Sequence, residues 1–126
     1  MGGGKRPRSA MAPTFVFEAA DAKLEFVLGS PGGPAIINYV ARALVGLIDA
    51  KLPLAEAFAL PHVGSRNRGT EVEKSTAAER LVLPLRSMGH QVSMVEFTSG
   101  YTGIALSAQG MAGAVDPRRE GTARGE

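Results

Sequence analysis

The fold is decided by residues 24–50, which read LEFVLGSPGGPAIINYVARALVGLIDA. The apolar, β-prone run at 24–28 predicts a strand, and the apolar pattern over 35–50 predicts a helix. Between the strand and the helix lie residues 29–34 (GSPGGP), which we call the glycine turn. A strand that turns through glycines into a helix leaves backbone N–H groups without intrahelical partners at the positive end of the helix. The glycine turn therefore predicts a place for an anion, or for an oxygen that becomes anionic during a reaction.

Two interpretations of the glycine turn stay open on these residues alone. No Lys-Ser or Lys-Thr pair follows the glycines, so it is not a Walker loop, and the spacing does not match the dinucleotide fingerprint G-x-G-x-x-G. The structural interpretation is a tight turn before a buried helix. The functional interpretation is an oxyanion hole made by the backbone N–H groups of Gly32 and Gly33, since only glycine lets the main chain approach a reacting carbonyl so closely.

The rest of the chain predicts an α+β arrangement. We expect strands at 14–18, 24–28, 71–73, 91–97, 102–108 and around 114–115, and helices at 35–50, 54–60 and between 76 and 89, the last broken at Pro84. The first two strands are expected to pair as an antiparallel hairpin. The helix over 35–50 is apolar around most of its circumference, which predicts a core helix between layers. Because strands and helices segregate, a layered arrangement is favoured over a doubly wound sheet.

The titratable residues outside the glycine turn give weak signals. His62 and His90 have no metal-ligand partner at helical spacing and show no Ser-His-Asp order, so we expect loop residues without a catalytic role. Residues 62–69 read as loop, and 110–113 read as a turn into the last strand. Glu71 and Glu73 share a strand face, but with Lys74 beside them we expect a solvated sheet edge.

Composition excludes several classes of function. The chain has 126 residues and a net charge of +2, too near balance to indicate a nucleic-acid partner, and it contains no cysteine for a disulfide or a thiolate metal site. We expect one domain or a fragment of one over residues 1–126, without cofactor, metal or membrane span. The opening MGGGKR has no apolar region after its charges, so it is not a signal peptide, and it suggests a fragment.

Several motifs resemble those of the γ-glutamyltransferase (glutathione hydrolase) family. Residues 5–14 (KRPRSAMAPT) resemble K-R-P-x-S-S-M-x-P-T, and the glycine turn with the helix after it resembles the G-S-P-G-G segment. Residues 54–57 (LAEA) followed by Leu60-Pro61 resemble L-x-E-A…A-P. Gly103-Ile104 and residues 113–121 (GAVDPRREG) resemble the final strands and the G-A-x-D-P-R-R-x-G end. The motifs run in the family's order over essentially the whole chain.

The resemblance implies a fold, an activity and partners. Family members are N-terminal-nucleophile hydrolases, so we expect part of an αββα sandwich in which antiparallel strands are layered with a buried helix. In the family a threonine that begins the small subunit attacks a γ-glutamyl carbonyl, and the acyl group passes to water or an amine. The resemblance assigns Gly32 and Gly33 to the oxyanion hole and Ser9 to the glutamyl α-carboxylate, although Ser9 alone reads as a plain loop serine. It implies glutathione-like substrates, an upstream half or large subunit as partner, and a periplasmic or extracellular location.

Three departures from the family pattern matter. Ala10 stands where the family has a second serine, which removes one hydroxyl contact to the carboxylate. Residues 62–69 also differ from the family's histidine-rich stretch. No threonine lies in a motif that matches the nucleophile, so we expect the chain to correspond to the C-terminal part of the small subunit and to be inactive alone. The alternative is a non-catalytic remnant or structural fragment that at most binds glutamyl-like carboxylates weakly.

Overall fold

The computed structural model describes Gly4 and residues 11–125. The strands are β1 (Thr14–Phe17), β2 (Leu24–Gly29), β3 (Val63–Ser65), β4 (Thr70–Glu73), β5 (Val92–Val95), β6 (Thr102–Ser107) and β7 (Gly110–Val115). The α-helices are α1 (Ile36–Leu44), α2 (Leu54–Ala59) and α3 (Val82–Ser87). A 3₁₀ turn (Gly33–Ala35) precedes α1 and a π-helical turn (Val45–Asp49) extends it, so the helical span of 33–49 agrees closely with the predicted 35–50.

The strands form two sheets. The four-stranded sheet has the order β1-β2-β6-β7 and is antiparallel throughout, which confirms the predicted hairpin of β1 and β2. The three-stranded sheet has the order β3-β4-β5, with an antiparallel β3–β4 pair and a parallel β4–β5 pair. The connection from β4 to β5 runs through α3, because parallel neighbours need a crossover. The architecture is α+β, as expected.

The main core lies between the helices and one face of the four-stranded sheet. Its buried side chains come from β2, α1, the π-helical turn, α2 and the segment before β6, and include Leu28, Tyr39, Ala43, Leu47, Phe58 and Tyr101. The rings of Phe58 and Tyr101 stack with centroids 4.7 Å apart. A smaller cluster of Val72, Ala78 and Val82 lies between β4 and α3. Burial of these apolar surfaces is what fixes α1 and α2 against the sheet.

The opposite face of the four-stranded sheet is apolar and exposed. Phe15 faces Val27, which faces Ile104, in one cross-strand row. The side chains of Phe15 and Ile104 are 58% and 44% exposed. On the helix, Ile37, Val45 and Ile48 are also exposed. The predicted burial of this helix on all sides is therefore not seen among the described residues, where one side packs on the sheet and the other has no cover.

Three short elements differ from their predictions because pairing, not local pattern, defines them. Residues 63–65 of the predicted loop pair with β4 as β3. That pairing makes β4 the central strand, so the predicted edge at 71–73 is wrong. The predicted turn at 110–113 is also wrong, because β7 pairs with β6 from Gly110 onward.

The helical region after residue 76 follows its local signals. The N–H of Ala78 donates to Thr76 Oγ1 at 3.2 Å, and the N–H of Ser75 donates to Glu79 Oε1 at 2.6 Å, so both side chains cap backbone groups at the start of the helical region. The region is divided into a 3₁₀ segment (Ala77–Leu81) and α3, so the break comes between Leu81 and Val82 and the predicted break at Pro84 is wrong. This break places Pro84 in the first turn of α3, where its missing N–H is not needed.

Candidate functional site

The glycine turn requires glycine at its centre for two different reasons. Gly32 has φ +143°, and a Cβ there would lie 2.5 Å from Cε2 of Tyr39, so both backbone conformation and space exclude a side chain. Gly33 has φ +55°, in the left-handed region, but a Cβ there would meet open space. The buried Tyr39 ring therefore supports the turn from one side, and the other side is open.

The open side of the glycine turn is part of a cavity of about 530 Å³. Residues 11–13 and 29–33, with Ile36 and Thr102, line it. A cavity of this size suits a small-molecule ligand. Ser9 lies outside the described residues, but residues 11–13, which follow it, form one wall of this cavity.

The backbone of the glycine turn presents two donors without described acceptors. Within the described ranges, the N–H groups of Gly32 and Gly33 form no hydrogen bond. Their carbonyls are engaged: Gly32 O accepts from the N–H of Ala35 at 3.1 Å, and Gly33 O accepts from the N–H of Ile36. Two backbone donors at the start of a helix can stabilise negative charge on an oxygen held in the cavity.

A second polar group of residues is buried between the two sheets, and we call Glu73, Asp116 and Arg118 the buried charge cluster. Arg118 Nε and Nη2 donate to the two carboxylate oxygens of Glu73 at 2.6 and 2.8 Å. Arg118 Nη1 donates to Asp116 Oδ1 at 3.1 Å. Glu73 is only 6% exposed, so the predicted solvated edge is wrong for Glu73, while Glu71 pairs with Arg66 at the surface. Sequence spacing could not show this pairing, although the DPRR motif supplies two of its members.

The ionisation of the buried charge cluster follows from its hydrogen bonds. Burial by itself would raise the pKa of Glu73 and Asp116, but donors outweigh it. Arg118 and the backbone N–H of His62 hold the pKa of Glu73 below its ordinary value. Ser99 and the backbone N–H groups of Arg118 and Tyr101 do the same for Asp116. Burial would lower the pKa of Arg118, and Glu73 reverses this, so all three groups stay charged at neutral pH.

His62, Ser99 and Asp116 have the composition of a catalytic triad but not its geometry. Ser99 Oγ donates to Asp116 Oδ2 at 2.6 Å, so its only proton is committed to the carboxylate. His62 Nε2 lies 2.9 Å from Ser99 Oγ and must be the donor there. Ser99 is fully buried and therefore cannot meet a substrate. Burial first, and then the charge of Arg118, lowers the pKa of His62 to about 4. This group is structural.

The other sequence candidates do not join a site. His90 lies in a loop, as expected, its side chain is exposed, and its Nδ1 lies 3.2 Å from Thr70 Oγ1. Across Gly4 and residues 11–125, no group of three His, Cys, Asp or Glu side chains is placed to hold a metal ion. None of the helices in the same part of the chain has the length and apolarity that a membrane span needs.

Comparison with known proteins adds independent findings. The family profile described as gamma-glutamyltranspeptidase matches residues 1–126. A glutathione hydrolase proenzyme of Escherichia coli (strain K12) is 37% identical over 121 residues, covering 94% of this chain and 20% of that protein. An acylase ACY 1 proenzyme of Pseudomonas sp. (strain V22) is 32% identical over 121 residues, covering 94% of this chain and 21% of that protein.

The fold also matches a solved structure. The gamma-glutamyltranspeptidase of Helicobacter pylori superposes with a TM-score of 0.79 at 28% identity, covering 94% of this chain and 66% of that chain. The present chain spans about a fifth of the length of the curated relatives it matches.

Proposed function

The chain belongs to the gamma-glutamyltranspeptidase family, and from that premise we propose that it supplies the oxyanion hole of an enzyme that transfers a γ-glutamyl group to water or an amine. Its α+β fold, part of the family's N-terminal-nucleophile hydrolase sandwich, is confirmed by the likeness to the solved relative. The observation that carries the proposal is the pair of N–H groups at Gly32 and Gly33, two residues that line the cavity, for which no acceptor lies among Gly4 and residues 11–125.

Attack on a γ-glutamyl carbonyl converts its oxygen into an oxyanion in a tetrahedral intermediate. Donors that are already oriented stabilise this charge without reorganising, and each is worth about 10²–10³ in rate. Gly32 and Gly33 fit this role because neither carries a side chain that would separate the carbonyl from the main chain. The nucleophile is a threonine supplied by residues outside this chain.

The partner of this chain is the remainder of the family's structure, either an upstream half or a large subunit. Two observations support this proposal. The outer face of the four-stranded sheet is apolar and exposed at Phe15 and Ile104, and so is the helix at Ile37 and Val45. Apolar surface of this kind marks places where further layers pack. The curated relatives are proenzymes several times longer than this chain.

Glutathione-like γ-glutamyl compounds are the proposed acyl donors. Ser9 would bind the glutamyl α-carboxylate, with Ala10 leaving one hydroxyl contact fewer than the family pattern has. Loss of one such contact costs about 1–3 kcal/mol if the same anion is bound unchanged.

Reconstitution tests the proposal. The chain is mixed with a separately expressed upstream half from a family relative that carries the threonine, and release from a chromogenic γ-glutamyl donor is measured. Gly32→Ala should lower the rate by about 10²–10³, because the new Cβ displaces the turn from Tyr39. Gly89→Ala is the matched control, since Gly89 also has positive φ (+89°) but lies outside the cavity lining.

Activity that depends on Gly32 and not on Gly89 supports the proposal. An inactive reconstituted pair, or a Gly32→Ala pair as active as the control, contradicts it. Saturable binding of glutamate without turnover would instead favour the non-catalytic remnant.

A further inference from the structure

The hydroxyl of Ser30 makes two hydrogen bonds at the centre of the glycine turn. Ser30 Oγ donates to the carbonyl oxygen of Pro31 at 2.8 Å. It accepts from the N–H of Gly100 at 3.0 Å, a residue 70 positions away in the chain. A serine hydroxyl has one proton and two lone pairs, so both bonds can exist together. Ser30 therefore ties the turn to the segment that precedes β6.

The bond to Pro31 O also sets the direction of a catalytic donor. Pro31 O and the N–H of Gly32 belong to the same peptide unit, which is planar and trans. In such a unit the C=O and N–H bonds point in opposite directions. Because Ser30 holds the Pro31 carbonyl oxygen towards its own hydroxyl, the Gly32 N–H of the same peptide unit points away from Ser30. The Gly32 carbonyl, held by Ala35, orients the N–H of Gly33 in the same way.

The anchor at Gly100 is itself rigidly held. Asp116 Oδ2 accepts from Ser99 Oγ at 2.6 Å and from the N–H of Tyr101 at 3.2 Å, on either side of Gly100. Arg119 Nε donates to the Ser99 carbonyl at 3.2 Å. A Cβ on Gly100 would lie 2.9 Å from Cγ of Pro31, so the segment contacts the turn directly.

We propose that Ser30 is a positioning residue that orients the Gly32 N–H for an oxyanion, by linking the Pro31 carbonyl to the segment that Asp116 holds. The role rests on the proposed function, because the Gly32 N–H acts on a substrate only there. Ser30 itself does not touch the reacting atoms. Its loss should therefore lower kcat and leave KM nearly unchanged.

The first experiment reads the geometry without any activity. The full chain is labelled with ¹⁵N at glycine, and the amide resonances of Gly32 and Gly100 are compared in Ser30→Ala, Ser30→Thr and wild type. Ser30→Ala should move both resonances and speed hydrogen exchange at Gly100 by about tenfold, since one hydrogen bond is lost. Ser30→Thr keeps the hydroxyl and should restore both.

Ser87→Ala is the matched control. Ser87 Oγ also donates to a prolyl carbonyl, that of Pro84, at 2.7 Å, but on the exposed surface of α3. If Ser30→Ala leaves Gly32 and Gly100 as undisturbed as Ser87→Ala does, the proposal is overturned.

The second experiment uses the reconstituted enzyme. Ser30→Ala should lower kcat roughly tenfold to a hundredfold, the cost of a small misplacement of a catalytic group, with KM within about twofold. Ser30→Thr should recover most of kcat. A raised KM with unchanged kcat would make Ser30 a substrate contact and overturn the positioning role. An inactive wild-type pair contradicts the proposed function alone, because the glycine resonances still decide whether Ser30 orients Gly32.

Discussion

The glycine turn and the buried charge cluster use polar groups in opposite ways. In the buried charge cluster, each carboxylate oxygen of Glu73 and Asp116 accepts at least one hydrogen bond within the protein. In the glycine turn, the N–H groups of Gly32 and Gly33 have no acceptor in the described part of the chain, and both residues line a cavity. Satisfied groups hold a structure together, whereas unengaged donors beside a cavity are available to a ligand.

The difference shows why residue type alone misleads. His62, Ser99 and Asp116 are the side chains that a search for catalysis would choose, yet burial and committed protons leave them structural. The candidate catalytic groups are instead main-chain amides of two glycines. Chemical availability, defined by exposure and by unused hydrogen bonds, separates the two regions.

The largest expected effect comes from breaking the buried charge cluster. Arg118→Leu leaves Glu73 and Asp116 charged without their partner at 6% and 2% exposure. We expect the free energy of unfolding to fall by about 3–5 kcal/mol, the cost of an uncompensated buried charge. Urea denaturation measures it. Arg66→Leu is the control, because its ion pair with Glu71 at 2.8 Å is exposed and is worth less than about 1 kcal/mol. Equal losses of unfolding free energy in Arg118→Leu and Arg66→Leu would contradict the claim that the buried ion pairs matter more than the exposed one.

The next effect is a loss of stability in mild acid. The pKa of His62 falls from 6.5 to about 4 on folding, through burial and then the charge of Arg118, with Arg42 acting in the same sense and Glu73 and Asp116 opposing. The unfolded state therefore binds a proton first as the pH falls. Stability should decrease between about pH 6.5 and 4, by about 3 kcal/mol in total, before levelling for this group.

Protonation of Glu73 and Asp116, whose pKa values are lowered, extends the loss to still lower pH. Urea denaturation at a series of pH values checks the whole profile. His62→Gln should flatten the curve between pH 6.5 and 4, and His90→Gln, at the exposed histidine, should not. A wild-type curve that is flat in this window would disprove the assignment to His62.

A third variant joins the two regions. Gly100→Ala places a Cβ 2.7 Å from Cδ of Arg119 and 2.9 Å from Cγ of Pro31, which forces one of them to move. Overpacking of this kind costs about 1–3 kcal/mol, and we expect the amide resonance of Gly32 to shift as Pro31 moves. Gly121→Ala is the comparison, since its Cβ would make an ordinary 3.6 Å contact with Val115. If Gly100→Ala and Gly121→Ala have the same stability and the same Gly32 resonance, the segment at Gly100 does not pack tightly on Pro31.

The smallest effect concerns the exposed apolar face of the four-stranded sheet, which lies outside both the glycine turn and the buried charge cluster. The chain alone should associate through the outer face of the four-stranded sheet, and light scattering should report a mass above that of a monomer. The double variant Phe15→Ser, Ile104→Ser should associate more weakly, by roughly 1 kcal/mol for each apolar side chain removed. Leu83→Ser, on exposed α3, should have no such effect. A monodisperse monomer would argue against the proposed partner surface.

The strand, glycine turn and helix over residues 24–50 could be predicted from the sequence because their signals are local. Apolar periodicity defines β2 and α1, and glycine and proline define the turn. The parallel pairing of β4 with β5 depends on a crossover that no local window contains. For the same reason, the long-range contacts of Glu73 and Ser30 could not be predicted from the sequence. Glu73 meets Arg118 across 45 residues, and Ser30 meets Gly100 across 70.

His62 illustrates the limit on a single side chain. Its neighbours Pro61 and Gly64 indicate a loop, and only the packed structure shows its ring 4.6 Å from that of Tyr39. Burial is a property of what folds over a residue, so composition of the local segment could not reveal it.

The 70-residue separation between Ser30 and Gly100 has a consequence for synthesis. Residues 29–34 leave the ribosome before Asp116, which holds the segment around Gly100. Contacts between distant positions form slowly, because a long loop must close first. During translation the residues of the glycine turn therefore exist before the contact with Gly100 that anchors Ser30 can form. On the proposed role of Ser30, the N–H group of Gly32 acquires its final orientation only after residue 116 has been synthesised.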